Sequence, residues 1–111
     1  MNKSTFKFFR ITDSTFEKEV LQHSLVMVEF GADWCGPCHI IAASLDDLAV
    51  KYEGVLRFCR INADENPNTK ERFSIYYLPT ILFFKDGKLV DQLTGTKAKN
   101  EIEDKIKLHL K

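Results

Sequence analysis

Apolar and polar positions along the chain switch several times between a strand-like period of two and a helical period, and each switch marks a new element. Phe6 to Ile11 reads as a first strand. The segment from Asp13 to Gln22 reads as a first helix, with Ser14 and Glu17 spaced as in a capping box. Leu25 to Phe30 is almost continuously apolar, the mark of a central strand buried on both faces. A second helix is predicted from about Gly36 to Tyr52, because Ile41, Leu45, Leu48 and Tyr52 share one stripe, and Gly54 marks its end. Val55 to Asn62 reads as a strand, Asn68 to Phe73 as a short helix, and Thr80 to Lys85 with Leu89 to Leu93 as a hairpin around Asp86-Gly87. Ile102, Ile106 and Leu110 recur at helical spacing and predict a closing helix. Strands and helices alternating through short connections indicate an α/β sandwich. No repeat, linker or low-complexity stretch divides the sequence, so residues 1–111 are expected to form a single domain.

Composition narrows the function classes. The 111 residues, 44% hydrophobic and 12% aromatic, suffice for one core without disulfide staples. Sixteen basic and sixteen acidic side chains cancel, and no basic run stands out, so there is no electrostatic basis for binding nucleic acid or an anionic membrane. No apolar run of about eighteen residues is available to span a bilayer. Met1 to Arg10 carries charges where a signal peptide needs an apolar stretch, so a cytoplasmic location is expected. A chain whose leader had been removed would read the same way.

Chemistry concentrates at Trp34-Cys35-Gly36-Pro37-Cys38, directly after an apolar strand and directly before an amphipathic helix. The two sulfurs can close a small ring with little backbone movement, and the unpaired N–H groups and positive dipole end of the helix stabilise a thiolate on Cys35. A zinc site would need a second close pair of ligands. Cys59, His23, His39 and His109 supply none, and His39 adjoins Cys38, so no metal is expected. A purely structural disulfide would explain the pair as well, but so short a loop removes little unfolded-state entropy. In the leading reading Cys35 attacks a target disulfide and Cys38, expected to lie deeper, resolves the mixed disulfide. Gly36-Pro37 offers no side-chain donor to the thiolate, which favours the disulfide form of the couple and makes it a reductant.

Three further residues stand out. Glu29 interrupts the apolar central strand, where a buried carboxylate without a purpose would be costly. Pro79 opens a strand, and taken alone its bond to Leu78 would be trans, as most X–Pro bonds are. Cys59, inside a strand, reads as a small buried thiol. His23, His109 and the polar residues from Lys97 to Lys111 read as solvated helix ends and faces.

Over nearly its whole length the chain resembles the thioredoxin family. The matching segments, in order, are Val26-Met27-Val28-Glu29-Phe30 leading into Trp34-Cys35-Gly36-Pro37-Cys38, Ile61-Asn62-Ala63-Asp64-Glu65-Asn66-Pro67, Leu78-Pro79-Thr80, Ile81-Leu82-Phe83-Phe84-Lys85 with its Asp86-Gly87 turn, and Gly95. The resemblance implies a thioredoxin fold, with a central mixed sheet of four to five strands and about four helices. It implies a monomeric protein-disulfide reductase whose redox-active disulfide is Cys35-Cys38. No cofactor would be bound, and electrons would come from NADPH through a flavin thioredoxin reductase, with disulfide-containing proteins as targets. Glu29 matches the position of a family aspartate that exchanges protons with the resolving cysteine, and Arg60 matches a lysine near that acid, so that a permanently charged Arg would keep Glu29 more permanently ionised. The Leu78–Pro79 bond becomes cis by resemblance, with Leu78 and Pro79 in the substrate groove and Trp34, Thr94 and Gly95 on its rim.

Some positions depart from the family pattern. Gly31 stands where a Trp is usual, Ala43 where a helix-kinking Pro is common, and His39 where a Lys is common. The loss of the ring at 31 is expected to loosen the loop before Trp34 and make the groove less apolar. Two other classes stay open at this point: a redox-regulated binding module, and a thioredoxin-fold oxidase or isomerase of an oxidising compartment.

Overall fold

The computed structural model describes residues 8–111. Among these residues five strands form one sheet: β1 (Phe8–Ile11), β2 (Leu25–Gly31), β3 (Arg57–Asn62), β4 (Thr80–Lys85) and β5 (Lys88–Thr94), in the order β1-β3-β2-β4-β5. β1 and β2 each run parallel to β3, whereas β4 is antiparallel to β2 and β5 to β4. Three α-helices, α1 (Gly36–Lys51), α2 (Pro67–Arg72) and α3 (Lys99–Leu110), and a short π-helical segment, Glu17–Leu21, connect them. This agrees with the mixed sheet of four to five strands and about four helices that the resemblance implies. Phe6 and Lys7, placed in the first strand by their pattern, lie outside the described residues.

The alternation of side chains along each strand divides the core in two. Leu25, Met27, Ile81 and Phe83 meet Ile41, Leu45 and Leu48 of α1 and Ile102 and Ile106 of α3 on one face. Val26, Val28, Phe30, Leu82 and Phe84 meet Phe16, Val20 and Ile75 on the other. Every residue of β2 up to Phe30 is buried, as its unbroken apolar run predicts. Asp86 and Gly87 both adopt positive φ at the β4–β5 hairpin, and a β-carbon on Gly87 would lie 2.9 Å from the Leu21 carbonyl oxygen.

The structure corrects several local expectations. No helix starts at Asp13. Thr12 N–H donates to Thr15 Oγ1 at 2.9 Å in a turn, the Ser14–Glu17 capping box does not form, and the helical segment begins at Glu17. β3 begins at Arg57 because the Val55 and Leu56 N–H groups donate to the Tyr52 carbonyl at the end of α1. Leu110 is 40% exposed at the end of α3. His109 is not on a solvated face: its Nε2 lies 2.9 Å from Asp91 Oδ2, and its ring is near Phe83. Glu103 likewise ties α3 to α1, accepting from Tyr52 Oη and pairing with Lys51.

Candidate redox site

The site forms where β2 hands over to α1. Cys35 is the N-cap of α1 in extended conformation, and Pro37 occupies the first turn, where a missing N–H leaves no bond unmade. The Cys38 N–H donates to Cys35 Sγ at 3.2 Å, so the helix end already points a donor at that sulfur. Cys35 and Cys38 are joined as a disulfide with their Cα atoms 5.3 Å apart. Their depths reverse the expectation: Cys35 is 1% exposed and Cys38 7%. Ala32 and Leu78 pack against the pair, so depth gives no ground for assigning Cys38 the inner role; the N-cap position and the Cys38 N–H bond set Cys35 apart.

Behind the disulfide lies a buried acid. Glu29 is 3% exposed, and its Oε1 accepts a 2.8 Å bond from Arg60 Nε on the neighbouring strand, in register with it. Arg60 also reaches Asp46 of α1 at 3.6 Å and covers the Phe8 ring. Burial pushes the Glu29 carboxyl above the ordinary carboxylate range, and the Arg60 charge and hydrogen bond only partly offset it. The expected more permanent ionisation by Arg60 is therefore not what this environment favours. A cavity of about 170 Å³ touches Glu29, Gly31, Cys38, His39, Ala42 and Arg60. It gives Glu29 and Cys38 one shared polar space. Gly31 borders this space, and His39 stands on its wall with Nε2 3.0 Å from the Asp33 carbonyl oxygen.

Of the residues expected at a groove and its rim, Leu78, Pro79, Thr94 and Gly95 come together. Leu78–Pro79 is cis, Leu78 packs on the disulfide, and the Gly95 N–H donates to the Pro79 carbonyl at 2.8 Å. Gly95 has positive φ, and Thr94 ends β5 beside Thr80 in the ladder. Trp34 is 70% exposed and its Nε1 donates to Asp64 Oδ2 at 2.5 Å. Sequence reasoning did not single out Asp64 as a Trp34 partner, nor the exposed Tyr76 and Tyr77 before the cis bond. The only signal in sequence for the two tyrosines is a pair of large rings directly before Leu78. Cys59 is apart from all of this, buried in β3 with its thiol pushed up to about 12 by burial, and so holds no thiolate to compete with the pair.

The sequence model of the Thioredoxin family matches residues 7–108. The chain belongs to the thioredoxin family. It is 42% identical over 105 residues to "Thioredoxin 2" of Chlorobaculum tepidum, covering 94% of this chain and 96% of that one. It is 39% identical over 102 residues to "Thioredoxin 1" of Nostoc sp., covering 91% and 95%, and 39% identical over 101 residues to "Thioredoxin" of Staphylococcus saprophyticus, covering 91% and 96%. With the thioredoxin family comes its reaction, reduction of protein disulfides by dithiol–disulfide exchange. A thioredoxin needs no bound cofactor, since the redox group is the chain's own disulfide.

Proposed function

We propose that this thioredoxin-family chain reduces target disulfides with Cys35 as attacking and Cys38 as resolving sulfur, and with Glu29 as proton acceptor for Cys38. The observation that carries this reading is the shared cavity that joins Cys38 to the buried Glu29 behind a helix capped by Cys35. In the reduced protein the Cys35 thiolate, facing the Cys38 N–H and the helix end, attacks one sulfur of the target and expels the other. Cys38 then gives its proton to Glu29 and attacks Cys35 Sγ. The second target sulfur leaves as thiolate and the Cys35–Cys38 bond is restored. Leu78 and Pro79 shape the groove, with Trp34, Thr94 and Gly95 on its rim. Gly36 and Pro37 keep the spacing, and Arg60 holds the acid.

The reading includes a single-domain monomer working in the cytoplasm, where dithiols are kept reduced. Electrons reach it from NADPH through a flavin thioredoxin reductase. Among the described residues no helix is long and apolar enough to cross a membrane, and the balanced charge gives no basis for holding nucleic acid.

Two variants test the division of labour. Cys38→Ser is expected to capture a disulfide-containing target such as insulin and to accumulate the covalent adduct, because nothing resolves it. Cys35→Ser is expected to form no adduct and to lose reduction of insulin by dithiothreitol to the uncatalysed rate. An adduct that accumulates in Cys35→Ser instead would reverse the two roles.

A further inference from the structure

Glu29 and residue 31 lie two positions apart on β2, so both face the side of the sheet covered by α1 and Cys38. A β-carbon on Gly31 would stand 3.0 Å from Glu29 Oε2, 3.4 Å from Cys38 Sγ and 3.6 Å from Cys38 Cβ. The space that a side chain at 31 would take is thus bounded by the acid on one side and the sulfur on the other. Backbone conformation gives no reason for a glycine here. The positive-φ glycines are Gly54, Gly87 and Gly95, and Gly31 adopts a conformation open to any residue. The same position forms part of the wall of the 170 Å³ cavity.

We propose that Gly31 is the positioning residue for proton transfer between Cys38 and Glu29. By carrying no side chain it leaves the carboxylate and the sulfur facing each other across an open gap, and that gap is matched to the length of glutamate. An aspartate at 29, one methylene shorter, would withdraw its oxygens from the space of residue 31 and leave room for a β-carbon there. The proposal rests on Glu29 being the proton acceptor. In the step concerned the Cys38 S–H bond breaks and its proton passes to the Glu29 carboxylate. The freed electron pair forms the bond to Cys35 Sγ, and the bond from Cys35 to the target sulfur breaks, that sulfur leaving as thiolate. Among the described residues the charged groups facing the acid are Arg60 from β3 and His39 and Asp46 from α1, with Arg10 of β1 and Asp33 on the cavity wall. None of them is altered by a change at 31.

Reduced protein mixed with an equimolar amount of dithiobis(nitrobenzoate) reads the two steps separately. Release of the first thionitrobenzoate reports capture by Cys35, and release of the second reports resolution by Cys38. Gly31→Ala is expected to leave the first phase within about twofold of the parent and to slow the second by up to about tenfold, since a misplacement of about 1 Å costs roughly a hundredfold and the shift here is a few tenths of an ångström. The pH profile of its second phase should move toward that of Glu29→Gln. Adding Glu29→Asp to Gly31→Ala should restore the second phase to within about threefold of the parent. The new contact falls on the far end of a flexible side chain, so the fold is retained; the first phase checks this, and Gly31→Ser repeats the test with another small side chain. If Glu29→Gln keeps the parental second phase, the proton-acceptor reading fails and the proposal with it. If Glu29→Gln slows that phase but Gly31→Ala does not, or if Glu29→Asp gives no rescue, the positioning role is overturned while the reading of Glu29 stands.

Discussion

Glu29 shows how one side chain couples chemistry to stability. Its carboxyl is withdrawn from water and held by one bond from Arg60, itself partly exposed and shared with Asp46. Burial wins over that pairing, and the carboxyl titrates above its ordinary value in the folded protein. The native state then binds more protons than the unfolded chain in the pH window above the ordinary carboxylate value. Stability therefore falls as pH rises through that window, and the cost is complete above the raised pKa. Each unit by which the pKa is lifted corresponds to about 1.4 kcal/mol of that cost. Glu29→Gln removes the titration while its amide oxygen still accepts from Arg60. Denaturant midpoints measured between about pH 4 and pH 9 should decline for the parent and stay flatter for the variant. A parental curve no steeper than the variant's would mean that Arg60 keeps the acid at its ordinary value. The sequence exposed Glu29 as a carboxylate in an apolar strand, and placed Arg60 near it by resemblance. Which of burial and pairing prevails depends on distances and solvent access, and these are tertiary quantities.

At the scale of elements, the same limit appears at helix ends. Ser14 and Glu17 have capping-box spacing, yet the residue that caps a helix there is Asp13, and the helix is α2, more than fifty positions along the chain. Asp13 Oδ2 accepts from Asn68 N–H at 3.1 Å, and Oδ1 accepts from Thr69 N–H at 2.8 Å and Thr69 Oγ1 at 2.6 Å. Asn66 Oδ1 returns the favour by accepting from Asp13 N–H at 2.8 Å. A cap supplied from afar leaves no local spacing to read. By contrast, α1, β2, β4 and the Asp86-Gly87 hairpin were legible because their signals, a buried stripe, an unbroken apolar run and a positive-φ turn, are local in sequence. Some burial acts on the Asp13 carboxyl to raise its pKa, but the three bonds from α2 outweigh it and hold it below the ordinary value. The stabilisation is thus fully present above the unfolded pKa near 3.8 and is lost as pH falls through the depressed one. Asp13→Ala should fray the start of α2, lowering the thermal midpoint at neutral pH by several degrees and speeding amide exchange at Lys70 and Phe73, whose N–H groups bond within this helix. The gap between parent and variant should close on acidification. A gap that persists unchanged at acid pH would show that the carboxylate's charge is not what holds the helix.

For the whole molecule, fold stability and redox direction are two sides of one cycle. Oxidation can be carried out in the native state or in the unfolded chain, and unfolding can be carried out with the pair oxidised or reduced. If the native couple is more reducing than the unfolded one, folding favours the disulfide, and the disulfide must in turn stabilise the fold by the same free energy. Several features act in this direction. Both sulfurs are nearly inaccessible and packed with Ala32 and Leu78, which favours a neutral disulfide over a thiolate. Gly36 and Pro37 bring no side-chain donor to the thiolate, and the Cys38 N–H is the opposing influence. Loop-closure entropy adds roughly 2 kcal/mol for so short a ring, a contribution that acts on the unfolded chain. The oxidised protein should therefore unfold at higher denaturant than the reduced one. The Cys35/Cys38 potential, measured against a dithiol buffer through the fluorescence of Trp34, should lie below that of the unfolded chain by about 30 mV for each 1.4 kcal/mol of this difference. Both measurements can be made on the same preparation. A reduced form more stable than the oxidised one would make the couple an oxidant relative to its own unfolded chain, and would return the protein to the oxidase or isomerase class despite its Gly-Pro spacer.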